Sequence, residues 1–185
     1  MSGIVIDAAY PPPAIPAGVT GIMGYTGQHG LADHVWTPQQ WSPFASIRQF
    51  PAWVPDFSEA PALEGGTAVE AALALGWAAH EADTRVIILD METTINPSWY
   101  TIWAATVENS GFAPVCYGSL STVLDNAADH NIIADWDGIK QIPPGQTIHG
   151  VQYQANVPVG GATVDFDLFD AWLMARGGVG PRHGA

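Results

Sequence analysis

Apolar runs of strand length alternate with helix-like segments along almost the whole chain, the pattern of an α/β protein whose sheet is mainly parallel. Residues 4–7, 18–24 and 49–54 predict the first three strands. Thr67-Ala68-Val69-Glu70 follows a loop rich in Pro and acid. Its spacing is that of a capping box, and it predicts a helix from Thr67 to about Ala82. Four consecutive aliphatics, Val86 to Leu89, make the clearest buried strand, with Asp90 at its exit. Asn96-Pro97 then predicts an N-cap and first helical residue, and Gly111 a helix stop. A strand over residues 113–117, a short helix opened by Ser119 or Ser121, and a strand over 131–135 come next.

The last third changes character. Residues 148–153 and 162–166 read as strands without a full helix between them, and an amphipathic helix is predicted over 168–176. Eight strands with fewer than eight helices favour a single irregular TIM-like (β/α) barrel over an open doubly wound sheet. Residues 1–176 are expected to form that one domain, and the Gly-rich residues 177–185 a flexible tail. Pro11-Pro12-Pro13 predicts a stiff connection after the first strand.

Composition sharpens the picture. The 185 residues include 5 Lys+Arg against 18 Asp+Glu, a net charge of −13, which argues against a nucleic-acid coat or a basic membrane-binding surface. With 48% hydrophobic and 12% charged residues, a packed core is expected. Cys116, the single cysteine, excludes an internal disulfide framework and sits in an apolar run as a small core residue. The first residues carry an acid and no base, unlike a cleavable signal peptide, and no apolar run reaches about 18 residues. Synthesis in the cytoplasm without a signal peptide is the expectation, with no membrane partner.

In a parallel barrel, chemistry collects at the C-terminal mouth, so acids at strand exits carry the most information. Asp7, Asp90 and Asp135 end strands, and Asp165 lies in the late run Val164-Asp165-Phe166-Asp167. Asp90-Met91-Glu92 is the sharpest local feature. In extended backbone, residues i and i+2 share a face with alpha carbons about 6.6 Å apart, so both carboxylates can enter one cavity. Like charges that close hold a proton on one acid beside an ionised partner, which is equipment for protonating a glycosidic oxygen.

Taken in order, Ile6-Asp7, Leu89-Asp90-Met91-Glu92, Cys116-Tyr117-Gly118, Ile133-Ala134-Asp135-Trp136, Val151-Gln152-Tyr153 and Val164-Asp165-Phe166-Asp167-Leu168-Phe169 resemble the family 25 glycoside hydrolases. Those are lysozyme-type muramidases that cut peptidoglycan in an irregular β/α barrel. The resemblance implies Glu92 as proton donor and Asp90 as the acid that polarises the substrate or its 2-acetamido group. It implies Asp7 and Asp165 as further acids of the pocket, and Gln152 and Tyr153 as the tail of a W-Q-Y element whose Trp is here Val151. The stretch from Asp7 to Pro13 and Trp53-Val54-Pro55 look closer to a related group known only as glycoside-hydrolase-like. A cell-wall glycan is the implied partner, and a phage lysin or virion component, with other virion proteins as partners, the implied setting. The alternative is a catalytically silent module that binds glycan or serves attachment.

Eight Trp are many for this length, and aromatic planes stack on sugar rings. Trp53, Trp136, Tyr25, Tyr117 and Tyr153 fall at or near strand exits, where they serve either as walls of a glycan groove or as core. Trp77, Trp99, Trp103 and Trp172 fall in helical segments as packing. His29 and His34 lie in a Gly-rich loop without a metal-ligand motif, Gly24 to Gly30 lacks the Lys of a phosphate loop, and no G-x-S-x-G is present. No metal and no cofactor are expected.

Overall fold

The structure, a computed structural model, describes residues 1–28, 35–77, 85–91, 96–126, 128–144 and 147–179. Eight strands close into a barrel: β1 (Gly3–Asp7), β2 (Val19–Gln28), β3 (Arg48–Val54), β4 (Val86–Met91), β5 (Ala113–Gly118), β6 (Asn131–Ala134), β7 (Ile148–Val159) and β8 (Ala162–Phe169). Strands β1 to β7 pair in parallel in chain order, and β8 inserts antiparallel to both β7 and β1. The reversal comes from the β7–β8 connection. Val159 pairs with Ala162, leaving only Gly160-Gly161, both at positive φ (59° and 95°), as a two-residue turn. Such a turn demands left-handed backbone at both positions and returns the chain antiparallel.

Strand periodicity divides the apolar residues into two layers. Val5, Met23, Phe50, Ile88, Val115, Ile132 and Phe169 form one cluster inside the barrel, where Phe50 and Phe169 meet edge to face at 4.9 Å. Gly21 and Gly150 make room for them, since a Cβ at either would stand 2.9 or 2.8 Å from a ring carbon. The alternate residues, including Ile6, Ile22, Trp53, Ile87 and Leu89, face outward against the helices. Five α-helices lie among the described residues: α1 (Pro38–Trp41), α2 (Pro61–Ala74), α3 (Pro97–Asn109), α4 (Leu120–Asp125) and α5 (Ala171–Arg176). Asn96 caps α3 and Ser119 caps α4 through their side chains.

Three local expectations are corrected. Helix α2 begins at Pro61, and Thr67 lies inside it, its hydroxyl donating to the Leu63 carbonyl four residues back instead of capping. Pro61 at the first helical position, with Glu64 in the first turn, starts the helix earlier than the Thr67 signal. The helix ends at Ala74, so Trp77 is buried in the segment after it, edge-on to Trp41. The terminal helix starts at Ala171 because Leu168 and Phe169 stay paired in β8 and the Asp170 side chain caps α5. Gly178 and Val179, in the segment expected as tail, form a short strand, β9, against Gln49 and Arg48. Residues 180–185 lie outside the described ones.

Glu64 is a buried carboxylate that ties α2 to the barrel, accepting from Trp53 Nε1 at 2.9 Å and from the Asp56 backbone N–H at 3.2 Å. Replacing it with Leu deprives two donors of their acceptor. Glu64→Leu is expected to lower stability by about 2–3 kcal/mol in chemical denaturation.

At the opposite end of the barrel from the strand exits, His130, His149 and Asp170 form a chain under Trp172. Asp170 Oδ2 lies 2.9 Å from His149 Nδ1, and His149 Nε2 lies 3.1 Å from His130 Nδ1. Trp172 stacks on both imidazoles, and the Arg176 guanidinium lies over its ring at 4.1 Å. With His149 donating to Asp170 and neutral, its Nε2 accepts from His130; with both rings charged, two N–H groups would face each other. Burial first, then His149, lowers the His130 pKa below its ordinary 6.5. The unfolded chain therefore takes up the proton more readily, and stability present above pH 6.5 is lost progressively as pH falls from that value through the lower pKa of the folded chain. The melting temperature is expected to fall below about pH 6.5, and the fall to be shallower in His130→Gln.

Candidate active site

Four acids stand on inward-facing positions at one end of the barrel. Asp7 is two residues beyond the inward Val5, Asp90 two beyond Ile88, and Asp165 and Asp167 precede Phe169 at even spacing. In the β1–β8 register Asp7 stands directly opposite Asp165. Asp7 and Asp90 are 7% and 8% exposed, and Asp167 is 0%. Like charges directly opposite are destabilising, so this geometry needs donors.

Those donors come from neighbouring strands. Asp165 Oδ2 accepts from Gln152 Nε2 at 3.1 Å, and Oδ1 from the Asn156 backbone N–H at 2.6 Å. Asn156 adopts φ 59° inside an irregular stretch of β7, where the register shifts between Gln154 and Val157. This bulge turns a backbone N–H out of the ladder and toward the acid. Burial raises the Asp165 pKa, and these two hydrogen bonds oppose the rise. Asp90 Oδ2 accepts from Tyr25 Oη at 2.9 Å. The tyrosine on β2 reaches over β3, where Tyr25 pairs with the small Ala52. Tyr117 is the register partner of Asp90 on β5. Both phenols are held neutral. Burial raises the Tyr25 pKa first, then Asp7 and Asp90; burial raises Tyr117 first, then Asp7, Asp167, Asp90 and Asp165.

A cleft of about 630 Å³ opens beside these groups, bounded by Asp7, Tyr10, Tyr25, Asn156, Val164 and Asp165. One wall is the β7–β8 hairpin. Its tip abuts the triple-proline loop, since a Cβ on Gly160 would lie 2.7 Å from Pro13 Cγ. Trp136, 67% exposed, donates its Nε1 to Gln152 Oε1, so one amide links an exposed indole to Asp165. Tyr153 is partly exposed, with Lys140 Nζ 5.7 Å from its ring centroid.

Asp7, Tyr25 and Asp165 therefore bound the cleft, Asp90, Tyr117 and Gln152 lie against that group, and Trp136 joins it through Gln152. Trp53 does not join it. Phe50 and Ala52 take the inward positions of β3, so Trp53 points to the helical layer and is 2% exposed. Glu92 lies outside the described residues, as do His29 and His34. Asp167 has no role assigned from the motifs alone, although the i, i+2 spacing with Asp165 places it on the same face. Asn156 offers only a tolerance for left-handed backbone. Cys116 is buried outside the barrel, its thiol pushed up to about 12 by burial. Among the described residues no group of three or more His, Cys, Asp or Glu could hold a metal ion, and no helix is long and apolar enough to cross a membrane.

No protein-family model matches the sequence, and no curated protein sequence matches it. Solved structures do resemble its fold. An uncharacterized protein of B. stearothermophilus superposes with a TM-score of 0.71 at 16% identity, over 95% of this chain and 100% of that one. The catalytic domain of endolysin ply40 from bacteriophage P40 of Listeria monocytogenes gives 0.68 at 15%, over 96% and 98%. A family 25 glycosyl hydrolase from Bacillus anthracis gives 0.60 at 9%, over 91% and 88%. The chain thus has the lysozyme-like barrel fold of family 25 hydrolases, the fold its ordered motifs imply.

The bulge at Asn156 is testable on its own. Asn156→Val forces a β-branched residue into left-handed backbone and is expected to cost about 1–3 kcal/mol in chemical denaturation, whereas Asn156→Gly is expected to be near neutral.

Proposed function

We propose that the protein hydrolyses a glycosidic bond of peptidoglycan, as an N-acetylmuramidase-like enzyme acting at the cell wall. The observation that carries this reading is the convergence of Asp7, Asp90 and Asp165 from three strands around neutral Tyr25 and Tyr117, beside a cleft of about 630 Å³. The cleft falls within the size range of sites for small molecules. The lysozyme-like fold supports the substrate class, since the ply40 domain is from an endolysin.

In this reading Glu92, two residues beyond Asp90 in the sequence, protonates the leaving glycosidic oxygen and then activates water as a base. Asp90, held by the Tyr25 hydroxyl, polarises the 2-acetamido group of the sugar. Asp7 and Asp165 supply negative potential to the oxocarbenium-like transition state. Trp136, fixed by Gln152, and Tyr153 offer aromatic faces to sugar rings, and Tyr117 beside Asp90 supplies a neutral hydroxyl. A phage lysin or virion component freed by lysis is the setting in this reading, supported by the bacteriophage source of the ply40 domain.

Incubating purified protein with peptidoglycan and measuring released reducing ends tests the proposal. The parent is expected to release them, Glu92→Gln to lose about a thousand-fold in rate, and Tyr25→Phe, which takes the hydroxyl donor from Asp90, about ten-fold together with about 1–3 kcal/mol of stability. Equal inactivity of parent and Glu92→Gln, with both retained on cell walls, would overturn hydrolysis and leave a glycan-binding or attachment module.

A further inference from the structure

Asp167 is the most deeply buried of the clustered acids. It is 0% exposed, and both carboxyl oxygens lack a hydrogen-bond partner among the described residues. Its direct partners in the sheet are Val5 on β1 and Gln152 on β7. Val5 offers no donor, and Gln152 commits its amide to Trp136 and Asp165. Asp165 shares its face two residues away, and Asp7 stands diagonally across the β1–β8 pair, within side-chain reach. Tyr117 faces the same group from β5.

An ionised carboxylate in such a place has lost its water and gained neither donor nor counter-ion. That state is among the most unfavourable a protein can hold, and the group takes up a proton instead. We propose that Asp167 is a neutral carboxylic acid under the cleft and titrates jointly with Asp7, so that it sets the charge Asp7 carries. It is a positioning residue, because burial keeps it from substrate. Burial is the foremost influence raising its pKa, followed by Asp7 and then Asp165, and none of the three favours the ionised form.

The role within catalysis rests on the hydrolase reading, but the joint titration does not. Two carboxyl groups that share a site lose their protons in separate steps belonging to the pair. If hydrolysis proceeds as proposed, a neutral Asp167 lets Asp7 ionise at neutral pH, where a second carboxylate would force a proton onto Asp7 and remove its negative potential from the cleft.

The test is a carbon-13 NMR titration of aspartate carboxyl carbons in the full chain without substrate, comparing wild type with Asp167→Asn and Asp7→Asn. One carboxyl signal, absent in Asp167→Asn, is expected to remain protonated above pH 7. In Asp7→Asn that signal is expected to move to lower pH by about one unit or more. Titration of the Asp167 signal in the ordinary carboxylate range, or with a midpoint unmoved by Asp7→Asn, would overturn the proposal. Asp167→Asn mimics the neutral acid, so its melting temperature at pH 7 is expected to match or exceed that of wild type. A variant that fails to fold while Asp7→Asn leaves the remaining signals unshifted would also overturn it. These readouts use no glycan, so absence of hydrolysis would leave them interpretable.

Discussion

Insertion of β8 antiparallel between β7 and β1 is the constraint on which the rest of the molecule depends. It closes the barrel, sets Asp7 opposite Asp165, and brings Asp167 beneath them. It also changes which part of a strand faces the mouth. In β1 and β4 the acids lie at the C-terminal end, whereas in the reversed β8 the earlier residues reach the same level. The Gly160-Gly161 turn makes the reversal, and Pro13 braces it from the facing loop.

Acids gathered this way oppose one another, and the surrounding structure compensates through particular groups. Asn156 gives a backbone N–H that regular pairing would have consumed, Gln152 gives an amide, and Tyr25 a hydroxyl. Below them an apolar cluster fills the barrel, and outside it the Trp-rich layer packs the strands against the helices. Much of the stabilisation thus lies away from the acids. That division leaves the mouth free to hold charge in an arrangement that a core alone would not select.

Trp53 and Trp136 show how one residue type serves two purposes. Both fall at strand-like segments, and both donate their indole N–H to a side-chain oxygen. Trp53 donates to Glu64 and disappears into the helical layer, while Trp136 donates to Gln152 and keeps its ring in solvent. The difference is position relative to the barrel wall. Trp53 lies within β3, on the face opposite Ala52, and Trp136 lies beyond the end of β6.

The alternation of apolar runs was enough to read eight strands and a barrel, because burial on one or both faces imposes a period that few other structures share. The helix starts at Asn96 and Ser119 were legible because a cap is a local hydrogen bond. Thr67 was misleading for the same reason: a capping pattern inside a helix costs nothing, and Pro61 had already begun it. Position at strand exits also put Asp90, Asp165 and Asp7 among the candidates, since only 12% of this chain is charged and strand exits are few. By itself, then, the sequence determined the elements, the barrel class and the types of side chain available for chemistry, all of which stem from short-range periodicity. Only the tertiary structure decided that Asp7 faces Asp165, that Asn156 turns its N–H toward them, that Trp53 belongs to the core and that Asp167 is sealed from water. Each of these depends on register between strands distant in the chain, and register is fixed by closing the barrel.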